Sequence, residues 1–167
     1  MRCSNFKQKI EREEIDRICK QLESLPNKTP DNHSVDLLRI QREPNQGQGT
    51  KKFTIFDLRL QSGAKNALSG KMISQLTKQL DEIELWLESQ DENSILDRCG
   101  LVVRGLNGTF CSGLDLVTVA ACTANQQAGL ELALVMQYNC VRIERLPMIS
   151  VAFVEGYALG GGAELAL

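Results

Sequence analysis

Two short segments carry residue types from which a reactive site could be built: Phe110-Cys111-Ser112-Gly113-Leu114-Asp115 and Gly160-Gly161-Gly162-Ala163-Glu164. Glycines tolerate positive φ and close backbone approach, so such turns can aim main-chain N–H groups outward. Two N–H groups aimed at one spot stabilise an oxygen on which negative charge develops. The same glycines can equally serve a tight strand-to-helix junction where a side chain would clash. Neither segment matches GxGxxG or GxxxxGK followed by Ser or Thr, which disfavours a nicotinamide or nucleoside triphosphate site. Glu164 reads either as a helix-start carboxylate or as an acid/base group facing a pocket. Asp115 reads as a loop- or helix-fixing carboxylate. Cys111 has no histidine or metal ligand beside it in the sequence and reads as a small filler.

Composition narrows the chemistry further. The 167 residues are 43% apolar and 24% charged, which suits one globular domain. A net charge of -2 leaves no broad positive field for a phosphate backbone, so nucleic acid is not an expected partner. No window holds eighteen consecutive apolar residues, so no spanning helix is expected, and neither is a membrane partner. An acid-rich N-terminus without an apolar signal core points to the cytosol. The cysteines (Cys3, Cys19, Cys99, Cys111, Cys122, Cys140) include no CxxC pair, so a zinc site is not expected and the thiols read as reduced. His33, the single histidine, lies in a polar run and reads as a solvated loop residue. With no second histidine, triad chemistry is nearly excluded.

The elements that must position the two turns follow from periodicity. Residues 6–24 carry Ile10, Ile15, Ile18, Cys19 and Leu22 as a helical stripe, read as a surface or extension helix. Residues 25–34 form a linker. Residues 35–41 and 52–60 read as two strands of a hairpin around the loop 44–49. Met72, Ile73, Leu76, Leu80, Ile83 and Leu87 define a helix over about 69–89 with Ser69 as N-cap. A polar connection covers 90–98. Leu101-Val102-Val103 and residues 149–154 read as buried strands. Residues 126–145 read as a helix, with Leu130, Leu134, Met136, Val141 and Ile143 as its apolar residues. Helices between short strands imply crossovers and a parallel α/β sheet. The chain ends on a helix one turn old without a cap, and we expect a truncated form of a longer protein.

The segments 110–116 and 156–165 resemble the two signature turns of the crotonase (enoyl-CoA hydratase/isomerase) superfamily. Lys65-Asn66-Ala67-Leu68-Ser69 resembles that family's coenzyme A segment, and all three occur in the family's order. Within the superfamily, residues 107–113 and 145–164 look most like the ethylmalonyl-CoA decarboxylase branch. The resemblance covers residues 35–167 as an incomplete crotonase-like domain, the N-terminal part of a ββα spiral. Residues 1–34 would be a helical extension and linker.

The resemblance implies a thioester carbonyl held between the backbone N–H groups of Leu114 and Gly161, with Glu164 as the acidic group. The coenzyme A adenine would lie against backbone groups of Ala64, Lys65, Asn66, Ala67 and Leu68. Ser112, Gly113, Asp115 and Gly160 would line the thioester. Leucine at 114 replaces a small residue common in the family and would narrow the acyl pocket. The implied reaction is loss of CO2 from ethylmalonyl-CoA or methylmalonyl-CoA through an enolate, with no metal or organic cofactor. Enoyl-CoA hydration or isomerisation, and an inactive truncated fragment that binds CoA, are the other readings. The second glutamate of the hydratases, and much of the trimer surface, would fall past Leu167. A homotrimer or hexamer is the family's expected assembly.

Overall fold

The computed structural model describes residues 11–28, 33–42, 53–90 and 99–167. In chain order these form α1 (Arg12–Glu23), β1 (His33–Arg42), β2 (Phe53–Ser62), α2 (Gly70–Glu88) and β3 (Cys99–Gly105). They continue as α3 (Leu116–Ala124), α4 (Gln126–Arg145), β4 (Ile149–Phe153) and α5 (Gly161–Ala166). Cys3, Ile10 and the loop read at 44–49 lie outside the described residues, as does most of the 90–98 connection.

The expected hairpin forms. β1 and β2 pair antiparallel from His33 opposite Ser62 to Arg42 opposite Phe53. His33 therefore opens a strand rather than sitting in a loop. β3 and β4 then add in parallel, giving the order β1-β2-β3-β4. Parallel neighbours require crossovers, and the helical segments between the strands supply them.

Strand alternation sorts the sheet into two faces. Phe56, Leu58 and Leu60 of β2, Leu101 and Val103 of β3 and Val35 of β1 are buried on one face. α2 covers that face with Met72, Ile73, Leu76, Leu80 and Ile83, all fully buried. Its N-cap is Ser69, whose hydroxyl accepts from the Met72 N–H. Trp86 meets Phe56 edge-on, with ring centroids 5.1 Å apart. On the other face, Asp57 is buried between Arg104 and Arg59, its carboxylate accepting at 2.8 Å from each.

α1 is part of this core rather than a peripheral helix. Ile15, Ile18, Cys19 and Leu22 are buried in the same cluster as α2 and the sheet. Gly70 lets the end of α1 close on α2, since a Cβ there would sit 2.3 Å from the Leu22 carbonyl oxygen. Polar groups join α1, α2 and α4. Arg12 pairs with Asp81, and Arg142 reaches both Asp81 and Glu84 at 2.7 Å. Asn139 is fully buried and accepts from the Thr77 hydroxyl at 3.0 Å.

Two expectations are corrected, and one helix appears that no expectation covered. α3 is a helix that has no stripe to announce it, because only Thr118 among its residues is buried. The inner face of α4 carries Glu131, Leu132, Val135, Met136, Asn139 and Arg142, whereas Leu130 is 60% exposed. β4 is not a buried strand. It is the sheet's edge, and Ile149, Val151 and Phe153 are exposed.

Candidate functional site

The three segments singled out in the sequence lie side by side, laced by main-chain hydrogen bonds. The Ser112 N–H donates to the Lys65 carbonyl at 3.0 Å, and the Leu68 N–H to the Gly113 carbonyl at 2.8 Å. The Asp115 N–H returns a bond to the Leu68 carbonyl at 2.8 Å. On the other side, the Cys111 N–H donates to the Tyr157 carbonyl at 2.9 Å, and the Leu159 N–H to the Cys111 carbonyl at 3.0 Å. The segment 110–115 is thus the middle strand of a small three-stranded arrangement, with parallel bridges Leu68 to Leu114 and Cys111 to Ala158.

Two glycines permit this closeness. Gly113 holds φ at +89°, and a Cβ on it would come within 2.7 Å of the Leu159 carbonyl oxygen. A Cβ on Gly162 would meet the Cys111 carbonyl oxygen at 2.6 Å and its Cβ at 2.7 Å. Cys111 is fully buried in that contact, and burial pushes its thiol up from the ordinary range, as a filler requires.

The bridge at Leu114 decides where its amide points. The Gly113 carbonyl and the Asp115 N–H both face Leu68, so the intervening Leu114 N–H faces the opposite way. It makes no hydrogen bond to a described residue. Gly161 is the first residue of α5, so its N–H lacks a partner within the helix, and it too bonds to no described residue. Leu114 and Gly161 both line one cavity of about 400 Å³, and Glu164 lines it with them. α3 and α4 complete the wall through Val119, Cys122, Leu132 and Met136. Sequence reasoning missed these wall residues on α3, because that helix carries no periodic signal.

The remaining predicted residues divide by what they touch. Asp115 is buried and caps α3, its Oδ1 accepting from the N–H groups of Val117 and Thr118 at 3.0 Å. The helix-fixing reading of that carboxylate therefore holds. Asn66 is fully buried at φ +51°. Its Oδ1 accepts from the Ser62 N–H at 3.0 Å, and its Nδ2 donates to the carbonyls of Leu106 at 2.7 Å and Thr109 at 2.5 Å. Its side chain thus clamps the 63–69 turn to the loop that precedes Phe110. Ala64 and Lys65 are exposed, Ala67 is half-buried and Leu68 is buried. Ser112 is half-buried, and Gly160 holds φ at +50° at the entry to α5. Among the described residues, no helix is long and apolar enough to cross a membrane.

Comparison with known proteins agrees with the fold. The family model for enoyl-CoA hydratase/isomerase matches residues 50–167. The chain is 44% identical over 104 residues to the ethylmalonyl-CoA decarboxylase of Rattus norvegicus, a stretch covering 62% of this chain and 31% of that protein. It is 45% identical over 100 residues to that of Danio rerio, covering 60% of this chain and 30% of that protein. The matched stretch thus spans less than a third of the length of these relatives. Among solved structures, Pseudomonas aeruginosa AtuE aligns with a TM-score of 0.56 at 29% identity, over 77% of this chain and 43% of that one. An enoyl-CoA hydratase from Bacillus anthracis gives a TM-score of 0.59 at 23% identity, over 81% of this chain and 44% of that one, a likeness of fold.

Proposed function

From the premise that the chain belongs to the enoyl-CoA hydratase/isomerase family, we propose that it serves decarboxylation of ethylmalonyl-CoA, and of methylmalonyl-CoA. The observation that carries this reading is the pair of uncommitted amides, Leu114 and Gly161, lining one cavity together with Glu164. The names of its decarboxylase relatives support the choice of substrate.

The chemistry follows from where charge moves. The bond between C2 and the carboxyl group breaks, CO2 leaves, and the electron pair passes into the thioester as an enolate. Two N–H donors aimed at the thioester oxygen bind this charge more strongly than the neutral carbonyl, which lowers the barrier. Removal of one such donor typically costs about 100-fold or more in rate. Glu164 then delivers the proton to C2. No metal or organic cofactor takes part, because the thioester itself accepts the electrons. Coenzyme A lies with its adenine against the backbone of 64–68, leaving the inward-turned Asn66 side chain to hold the turn. Ser112, Gly113 and Gly160 border the thioester. The assembly is a homotrimer or hexamer, and the compartment is the cytosol.

The test is direct. Purified protein should convert ethylmalonyl-CoA to butyryl-CoA and CO2 after exhaustive chelation. If it hydrates crotonyl-CoA and releases no CO2, the hydratase reading replaces this one.

A further inference from the structure

The cavity that holds Leu114, Gly161 and Glu164 has a neighbour of about 550 Å³, and the two share Gln137 and Glu164. Gln137 stands on α4 where that helix passes α5. A Cβ on Gly161 would lie 3.8 Å from the methyl of Met136, and Cys140 and Glu164 line the second cavity together, where burial and then the nearby Glu164 carboxylate push the Cys140 thiol up. Gln137 therefore lies between the points where α4 meets Gly161 and Glu164. It is exposed and bonds to no described residue.

The other polar side chains on the cavity offer little to an anion. The Thr123 hydroxyl donates to the Val119 carbonyl at 2.9 Å. The Cys122 thiol is a weak donor. Glu164, the one acidic group among the described lining, is assigned to protonating C2 and offers an anion no positive charge. We propose that the Gln137 amide receives the carboxylate at C2 of the acyl group and so selects carboxylated over plain acyl thioesters. This rests on the decarboxylase reading and specifies it. A neutral donor suits a carboxylate that must leave. An ammonium or guanidinium would stabilise the charge in the ground state more than in the transition state, where that charge has moved to the thioester oxygen.

The experiment uses two dead-end thioethers, 2-carboxybutyl-CoA and butyl-CoA, which share every group except the carboxylate. Calorimetry on the chain should show Gln137→Leu weakening the carboxylated ligand by about ten- to a hundredfold, the worth of one hydrogen bond to a charged group. Butyl-CoA affinity should stay unchanged. Gln137→Lys should tighten the carboxylated ligand and yet slow CO2 release. Equal effects of Gln137→Leu on both ligands, or on neither, overturn the assignment. If discrimination depends on Gln137 and wild-type protein releases no CO2, the amide's role stands and the decarboxylase reading falls.

Discussion

Replacing Gly162 with alanine tests whether the contact between the two turns sets the site. The added Cβ would lie 2.6 Å from the Cys111 carbonyl oxygen, so the segments must separate by about 0.8 Å to restore an ordinary contact of 3.4 Å. Overpacking of this kind costs about 1–3 kcal/mol. Each kcal/mol lowers Tm by about 2–4 °C in a chain of this size. The larger effect is on turnover, because Gly162 adjoins Gly161 and Cys111 lies three residues before Leu114. A displacement near 1 Å at such a pair costs about 100-fold in rate. Thermal unfolding and CO2 release from ethylmalonyl-CoA measure the two effects separately. Gly108→Ala is the control: its φ is +71° and nothing lies within 4 Å, so it adds backbone strain without pushing the turns apart. It should lower Tm while turnover stays near wild type. Adding Cys111→Ala to Gly162→Ala removes the Sγ contact at 2.9 Å but not those to the carbonyl oxygen and Cβ, so rescue should be slight. A Gly162→Ala protein with wild-type Tm and turnover would refute the reasoning.

Other expectations follow from named contacts. Glu164→Gln should depress CO2 release while leaving Tm unchanged, since the exposed carboxylate makes no ion pair or hydrogen bond with a described residue; turnover at the wild-type rate would remove it from the mechanism. Asn66→Ala should destabilise by about 2–4 kcal/mol, because it removes three side-chain hydrogen bonds, one of them to the buried Thr109 carbonyl, and leaves alanine at positive φ; denaturant titration measures this. Arg104 and then Arg59 hold the Asp57 carboxyl below the usual range, so its contribution to stability is complete above the unfolded value of about pH 4 and is lost as pH falls through the lower folded value. Asp57→Asn should therefore lower Tm at pH 7 and flatten the acid limb of a Tm-against-pH curve.

The parts of the fold that were legible in the sequence are those whose pattern repeats. Met72 to Leu87 recur at helical spacing because one stripe faces the sheet, and Ser69 marks the start because its hydroxyl satisfies a first-turn N–H that has no partner within the helix. The alternation in β1 and β2 exists because one face of the hairpin meets α2. The order of the two glycine turns and of the 64–68 turn was legible too, and the structure brings all three together.

What was hidden depends on contacts far apart in sequence. α3 is nearly apolar around its circumference, so no period marks it. β4 has the composition of a covered strand and lies at an open edge, because composition does not say which strand is last in a sheet. Met136 of the inner face of α4 was legible, whereas Glu131, Asn139 and Arg142 were not, because they are polar and their burial makes sense only beside Arg17, Thr77, Asp81 and Glu84. The Asn66 side chain's part in tying the 63–69 turn to the loop before Phe110 was hidden too, because its partners Leu106 and Thr109 lie about 40 residues away.

The amides of Leu114 and Gly161 owe their direction to the chain path, and neither depends on its own side chain. Alanine scanning, which trims side chains, would pass over both without registering them. Chemical synthesis that swaps a single peptide NH for an ester oxygen would expose them one at a time. By the same token, divergent sequences can redecorate the walls of this cavity freely, provided the bends beneath keep their course.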